Sequence, residues 1–255
     1  MLIGFRVFNW RSIRNEVSFS MLASQERQHG DRLKWLGKYR CRLLPTALMF
    51  GGNASGKSNF VRALDFMKNF ILKPPQPHQG IPGYNPYVFD KTSKGGPSEF
   101  EIEILIDEHI YRYSFTINAK SVLREELVKI LTTREQSLFV RENKDRIQFD
   151  DDYPGDELQR LEIIFQGTQD NELFLSNSVD QNVELFKPIY DWFDHHLHIV
   201  DPSARFLALE PIALELCNQY FPLLDTSVKR LGFNEVSRSY IPKEDFVRFS
   251  AALPL

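Results

Sequence analysis

The chain has 255 residues, a net charge of −3, and is 42% hydrophobic and 25% charged, the proportions of a folded domain rather than of a disordered or fibrous chain. A pI near 6.1 excludes a chain that is basic throughout, so nucleic acid or an anionic membrane would have to be met by a local patch. The two cysteines, Cys41 and Cys217, are far apart and lack C-x-x-C spacing, which excludes a disulfide framework and fits reduced thiols in a cytoplasmic protein.

Residues 2–8, LIGFRVF, alternate as a strand, and residues 16–22, EVSFSML, read as a second. A charged stretch follows from Ser24 to Arg40, with His29-Gly30-Asp31 as a turn. Its Lys34, Lys38 and Arg40, with Arg42, are read as a solvated segment, a nucleic-acid-facing edge being the alternative. Residues 43–50, LLPTALMF, form an apolar run that suits a buried strand, with Pro45 near its start. Residues 57–72 place Phe60, Leu64, Met67 and Ile71 on one helical face, and Pro74-Pro75 stop that helix.

Between the expected strand and the expected helix lies GGNASGKS, which meets G-x-x-x-x-G-K-[ST] at Gly51, Gly56, Lys57 and Ser58. Phosphates are anionic and need several donors converging at short range. Glycine lets the backbone curl so that successive N–H groups point inward, and a helix that starts at Lys57 adds its positive dipole end. In this reading Gly51, Gly52, Asn53, Ala54, Ser55, Gly56, Lys57, Ser58 and Asn59 form the nucleotide-binding segment. Lys57 reaches the β- and γ-phosphates of a nucleoside triphosphate, and the Ser58 hydroxyl takes Mg²⁺. A chance glycine turn is the rival, and the flanking strand and helix signals weigh against it.

Residues 74–97 are rich in proline and glycine and read as a linker or long loop. From 99 to 149 the period changes to two. Phe100, Ile102, Ile104 and Ile106 alternate with Glu99, Glu101, Glu103 and Leu105, and residues 110–117 alternate again. Either Asp107-Glu108 or the three residues ending at His109 turn this hairpin. Further strands are expected at 122–132, 137–141 and 146–149. The run Ile104-Leu105-Ile106-Asp107-Glu108 also imitates a Walker B strand, in which Asp107 would serve Mg²⁺ and Glu108 the water. The alternating glutamates mark a half-exposed strand instead, and the immediate return of strand pattern puts Asp107-Glu108 in a turn.

Beyond the acidic loop at Asp150-Asp151-Asp152 helical signals return, with Phe186, Ile189, Tyr190, Phe193 and Leu197 sharing a face. Residues 197–200 are expected as a strand and 204–250 as mostly helix. His195, His196 and His198 could suggest a metal site, but histidines at a helix C-terminus are favoured by its dipole, which is the blander reading. The divisions expected are 1–75 for the N-terminal strands, loop and helix, 76–150 for the linker and β-rich sub-lobe, and 151–255 for a mostly helical part.

Asn9-Trp10-Arg11-Ser12, Glu16-Val17-Ser18-Phe19 and the nine residues from Gly51 to Asn59 together resemble the stand-alone AAA15-type ATP-binding proteins of the RecF/SMC/OLD-like branch of ABC ATPases. Those open with a strand, N-F-[RK]-S, a second strand and G-A-N-A-S-G-K-S-N; Trp10 and Gly52 depart from that pattern. The resemblance continues through Pro97-Ser98-Glu99-Phe100, Tyr111-Arg112-Tyr113, the segment at 138–142, Leu173-Phe174-Leu175-Ser176 and Tyr190-Asp191-Trp192-Phe193. It implies an α/β P-loop NTPase fold: an ABC-ATPase-like N-terminal lobe with a β-rich sub-lobe and a helical C-terminal part. It implies ATP and Mg²⁺ as ligands and Arg11 as a contact to adenine or phosphate, with a solvated strand-end arginine as the alternative. It also implies nucleotide-driven pairing, as a homodimer or with a partner ATPase lobe, coupled to DNA or an effector protein, in some relatives in defence against phage. The family's L-S-x-G signature and a convincing Walker B strand are missing. The expectation is therefore an ATP-binding lobe that lacks its C-terminal half and hydrolyses ATP poorly alone, with a non-hydrolysing nucleotide-binding or dimerisation module, or a truncated ATPase, as the alternatives.

Overall fold

The computed structural model describes residues 1–24, 30–90 and 95–200. Nine strands and four helices are found among them: β1 (Leu2–Phe8), β2 (Val17–Ser20), β3 (Lys34–Leu36), β4 (Cys41–Leu43), α1 (Lys57–Leu72), β5 (Ser98–Ile106), β6 (His109–Ile117), β7 (Val122–Ile130), β8 (Glu135–Glu142), β9 (Arg146–Phe149), α2 (Gly155–Gly167), α3 (Phe174–Asp180) and α4 (Lys187–Asp191). One turn of π-helix, Trp192–His196, continues α4. Residues up to Ile199 form one compact unit. The expected helical part from 204, with Cys217, and the expected turn residue His29 lie outside the described residues.

Seven strands make one sheet in the order β2-β1-β5-β6-β7-β8-β9, and every neighbouring pair is antiparallel. The alternation of the sequence becomes two unlike faces. Phe100, Ile102 and Ile104 of β5 and Tyr113, Phe115 and Ile117 of β6 are buried. Their neighbours form a charged outer lattice, with Arg6 bridging Glu16 at 2.9 Å and Glu101 at 2.7 Å, and Arg112 paired with Glu135. An antiparallel sheet with one solvated face produces this pattern. Burial at the β5–β6 hairpin pushes the Glu103 carboxyl up, and the nearby Arg112 pulls it back.

α1 covers the β1, β5 and β6 part of the apolar face. Phe60 packs edge-on to Phe5, Phe66 lies 5.1 Å from Phe100, and Phe70 meets Phe115 at 5.5 Å. Phe60, Met67 and Ile71 are buried as their spacing predicts, and Leu64 is half-buried. The buried stripe is wider than that spacing, because Ala63, Phe66 and Phe70 also turn inward against the sheet aromatics. Each buried Phe, Met or Ile side chain contributes on the order of 1.5–3 kcal/mol. Over β8 and β9, Phe174 and Phe186 close on Phe139 and Phe149.

One buried charge pair organises this second half. Glu125 of β7 lies on the inward face and is fully buried, as is Arg141 of β8. Glu125 accepts hydrogen bonds from the backbone N–H groups of Phe174 at 2.6 Å and Leu175 at 2.9 Å and from the Tyr113 hydroxyl at 2.8 Å. It thereby caps α3, whose own N-cap, Leu173, has no capping side chain. Arg141 stands 3.5 Å from Glu125 and donates to the carbonyls of Glu172 at 2.6 Å, Gln169 at 3.0 Å and Asn143 at 2.8 Å. Burial pushes the Glu125 carboxyl above its ordinary range, and Arg141 and the three donors pull it back.

Two expectations are corrected. Residues 43–50 do not form a buried strand. β4 ends at Leu43, and Leu48 and Phe50 are 71% and 85% exposed. The run is apolar enough for a core, but among the described residues only its first residue, Leu43, lies in a strand, paired with β3. Residues 197–200 are likewise not a strand; the Leu197 carbonyl accepts from Lys68 Nζ of α1 at 2.6 Å instead of from a ladder. The N-terminal strands and the β-rich block share one sheet, since β1 pairs directly with β5.

Replacing Glu125 by Ala leaves Arg141 buried without a carboxylate and α3 uncapped. The expected loss in urea unfolding is about 3–5 kcal/mol. Glu126→Ala, which breaks only the exposed bridge to Arg124, is expected to cost under about 1 kcal/mol.

Candidate functional site

The loop before α1 has the backbone that an anion cradle requires. Gly56 is the N-cap of α1 with φ +95°, and no side chain caps this end of the helix. Ala54, at φ 63°, is also left-handed, a conformation uncommon for a residue with a Cβ. Asn59 and Phe60 already donate their N–H groups to the Gly56 carbonyl. Among the described residues the N–H groups of Lys57 and Ser58 have no such partner. They are free first-turn donors at the positive end of a sixteen-residue helix.

Lys57 is held over the loop. Its Nζ donates to the carbonyls of Gly51 and Gly52, both at 2.7 Å, and to Ser55 Oγ at 3.2 Å. The ammonium thus bonds three residues of the loop and keeps it curled. Ser58 stands in the first turn of α1 and is exposed. Its hydroxyl is an oxygen donor of the type Mg²⁺ takes, so these residues fit a phosphate-bound Mg²⁺, with the phosphates and water supplying the other ligands.

The Asn9–Ser12 segment converges on this loop. Asn9 is left-handed (φ 51°), and its side-chain amide donates to the carbonyls of Gly96 and Pro97, both at 3.0 Å. Trp10 and Ile13 exchange both backbone hydrogen bonds, closing a tight turn with Arg11 and Ser12 at its tip. Trp10 is buried 4.4 Å from Phe66 of α1, which anchors the turn to the helix. Ser12 Oγ accepts from Asn59 Nδ2 at 2.8 Å and lies 3.4 Å from where a Cβ on Gly56 would be. Arg11, beside it, lies over the Trp10 ring at 5.9 Å, and its Nε is buried without a hydrogen-bond partner. The family resemblance named Arg11 and not Ser12, whose contact appears only when the turn reaches Asn59.

Asp107 and Glu108 do not join this site. Both have positive φ, 44° and 63°, and Ile106 pairs with His109, so they form a two-residue hairpin turn. β1 runs antiparallel to β5 with Phe8 beside Glu99 and Leu2 beside Ile104. Asn9 therefore lies at the Glu99 end, and Asp107 is eight residues further along, roughly 26 Å at 3.3 Å per residue. His195 and His196 end the π-helical turn. Among the described residues no group of three or more His, Cys, Asp or Glu is arranged to hold a metal ion.

Residues 47–243 match the protein family described as "AAA domain, putative AbiEii toxin, Type IV TA system". The chain belongs to this AAA domain family. The family match and the geometry of Gly51–Asn59 agree on a P-loop domain of the ATPase type, which is a nucleotide-binding architecture. A search of curated proteins finds no match to the chain. Among the described residues of this AAA domain no helix is long and apolar enough to cross a membrane.

The two inner glycines make opposite demands. Nothing lies within 4 Å of a Cβ added at Gly52, whereas Gly56 has φ +95°. Gly52→Ala is expected to leave thermal stability and nucleotide affinity unchanged. Gly56→Ala is expected to cost about 1–2 kcal/mol in the same melts and to weaken nucleotide binding, since a Cβ disfavours the left-handed cap.

Proposed function

We propose that this AAA domain binds ATP with Mg²⁺ through Gly51–Asn59 and acts as one lobe of an ABC-type, RecF/SMC/OLD-like ATPase. The observation that carries the reading is the uncapped N-terminus of α1, with Lys57 fixed over the loop and the Arg11–Ser12 turn beside it. The β- and γ-phosphates meet Lys57 and the free amides, Ser58 places Mg²⁺, and Arg11 answers the negative charge of the nucleotide. Arg11 suits that part because its guanidinium rests on Trp10 and forms no ion pair among the described residues.

A second lobe, either another copy or a partner ATPase, completes the site. The exposed run at Leu48, Met49 and Phe50 supports this, because a solvated apolar segment leading straight into the phosphate loop is a surface made to be covered. Nucleotide-driven closure of two such lobes would couple ATP to DNA or to an effector protein. The family description, with its toxin and type IV system, is in keeping with an effector and with a part in phage defence.

A second reading, a nucleotide-binding or dimerisation module that does not hydrolyse ATP, is favoured by one observation. The Asp-Glu pair that follows an apolar strand, Asp107-Glu108, is used in a hairpin turn far from the loop, and in P-loop ATPases carboxylates of this kind hold the metal and orient the water.

Titration calorimetry tests both. The wild-type chain is expected to bind ATP–Mg²⁺, and Lys57→Ala to lose most of that affinity. Unchanged binding in Lys57→Ala would sink the P-loop reading. Steady-state phosphate release by the chain alone is expected to match that of Lys57→Ala; a rate well above it would exclude the non-hydrolysing module.

A further inference from the structure

We propose that Phe89, backed by Tyr87, is the platform on which the base of the bound nucleotide stacks; this rests on the P-loop reading above and adds a base subsite to it. Phe89 is 83% exposed, yet its segment is tethered at four points. The Tyr84 hydroxyl donates to the Gly96 carbonyl at 2.9 Å, the Asn85 carbonyl accepts from Arg11 N at 2.7 Å, Tyr87 N donates to Asn9 Oδ1 at 3.1 Å, and Asp90 pairs with Arg14 at 3.0 Å. An aromatic ring held in water by a fixed backbone is unlike one on a fraying loop end.

The tethers also place the ring. Asn85 meets Arg11, Tyr87 meets Asn9 and Asp90 meets Arg14, so Phe89 lies in the segment that crosses the base of the Arg11–Ser12 turn, whose Ser12 touches Asn59 and Gly56 at the start of α1. The 85–90 segment is thus joined to the Asn9–Arg14 turn, and that turn, which carries Arg11, is joined through Ser12 to Asn59 of α1, so one short turn links the ring to the cradle. Tyr87 meets Phe89 edge-to-face with ring centroids 5.6 Å apart, which uses at most one face of the Phe89 ring. A base has a π-face whatever its identity, and stacking on an aromatic side chain is among its strongest contacts with protein.

The test compares ATP with inorganic tripolyphosphate, which has the phosphates but no base. Phe89→Ala is expected to weaken ATP binding about tenfold or more and to leave tripolyphosphate binding unchanged. Phe89→Trp is expected to keep ATP affinity, with indole fluorescence that responds to ATP and not to tripolyphosphate. Phe50→Ala is the control, since Phe50 is equally exposed but belongs to the apolar run before the loop. The proposal is overturned if Phe89→Ala binds ATP like the wild type, if it loses ATP and tripolyphosphate in parallel, or if Phe50→Ala alone reproduces the loss. Should the wild type bind neither ligand, or should Lys57→Ala leave tripolyphosphate binding intact, the P-loop reading itself fails, which is a different result from the failure of Phe89.

Discussion

The buried carboxylate of Glu125 is the contact on which the arrangement of the helices depends. Set among apolar neighbours on the inward face of β7, it must be satisfied on every side. It is met by Arg141 from β8, Tyr113 from β6 and two amides of α3. The pair therefore fixes where α3 begins on the sheet. α3 in turn holds the C-terminal end of the phosphate-loop helix, because Ser176 Oγ donates to the Ile71 carbonyl at 2.7 Å. Lys68 ties the same helix to Leu197, and Asn59 ties its first turn to Ser12. A charge buried deep in the sheet is thus linked, through three elements, to the orientation of the cradle at the surface.

The site is one-sided for a physical reason. Its donors, the first-turn amides and Lys57, come from one short loop and one helix end, and one tight turn brings Arg11 and Ser12 beside them. These can bind an anion without the rest of the sheet. Hydrolysis needs a carboxylate held opposite them, and the antiparallel sheet carries its Asp-Glu pair to the other end of β5. The apolar residues before Gly51 have the composition of a central strand, yet among the described residues they form none past Leu43 and stand exposed at Leu48 and Phe50.

Much of this was legible in the sequence. The period-two pattern of residues 99–117 gave β5, β6 and the turn at Asp107-Glu108, because alternation and a polar pair between strands are local properties. The helical face of Phe60, Met67 and Ile71 gave α1, and the prolines at 74 and 75 gave its end. The phosphate loop was readable because its glycine at 56 and lysine at 57 answer local backbone and charge requirements. Glu125 was not singled out, although its place beside Leu127 on an inward face was a signal that a buried charge would need a partner. Arg141 could not be named as that partner, since the pairing depends on the register of β7 and β8. Residues 43–50 misled for the converse reason: hydrophobicity reports a tendency to be buried and is silent on whether a covering surface is present.

The sequence by itself determined the phosphate cradle, the helix behind it and the alternating strands, all set by torsion preference, periodicity and charge within a few residues. The tertiary structure alone decided that Ser12 meets Asn59 across 47 positions, that Glu125 caps a helix 49 positions away, and that the Phe89 segment lies beside Arg11. Such contacts are selected by how the sheet stacks and pairs, and at those separations they leave no repeating pattern along the chain from which they could be read.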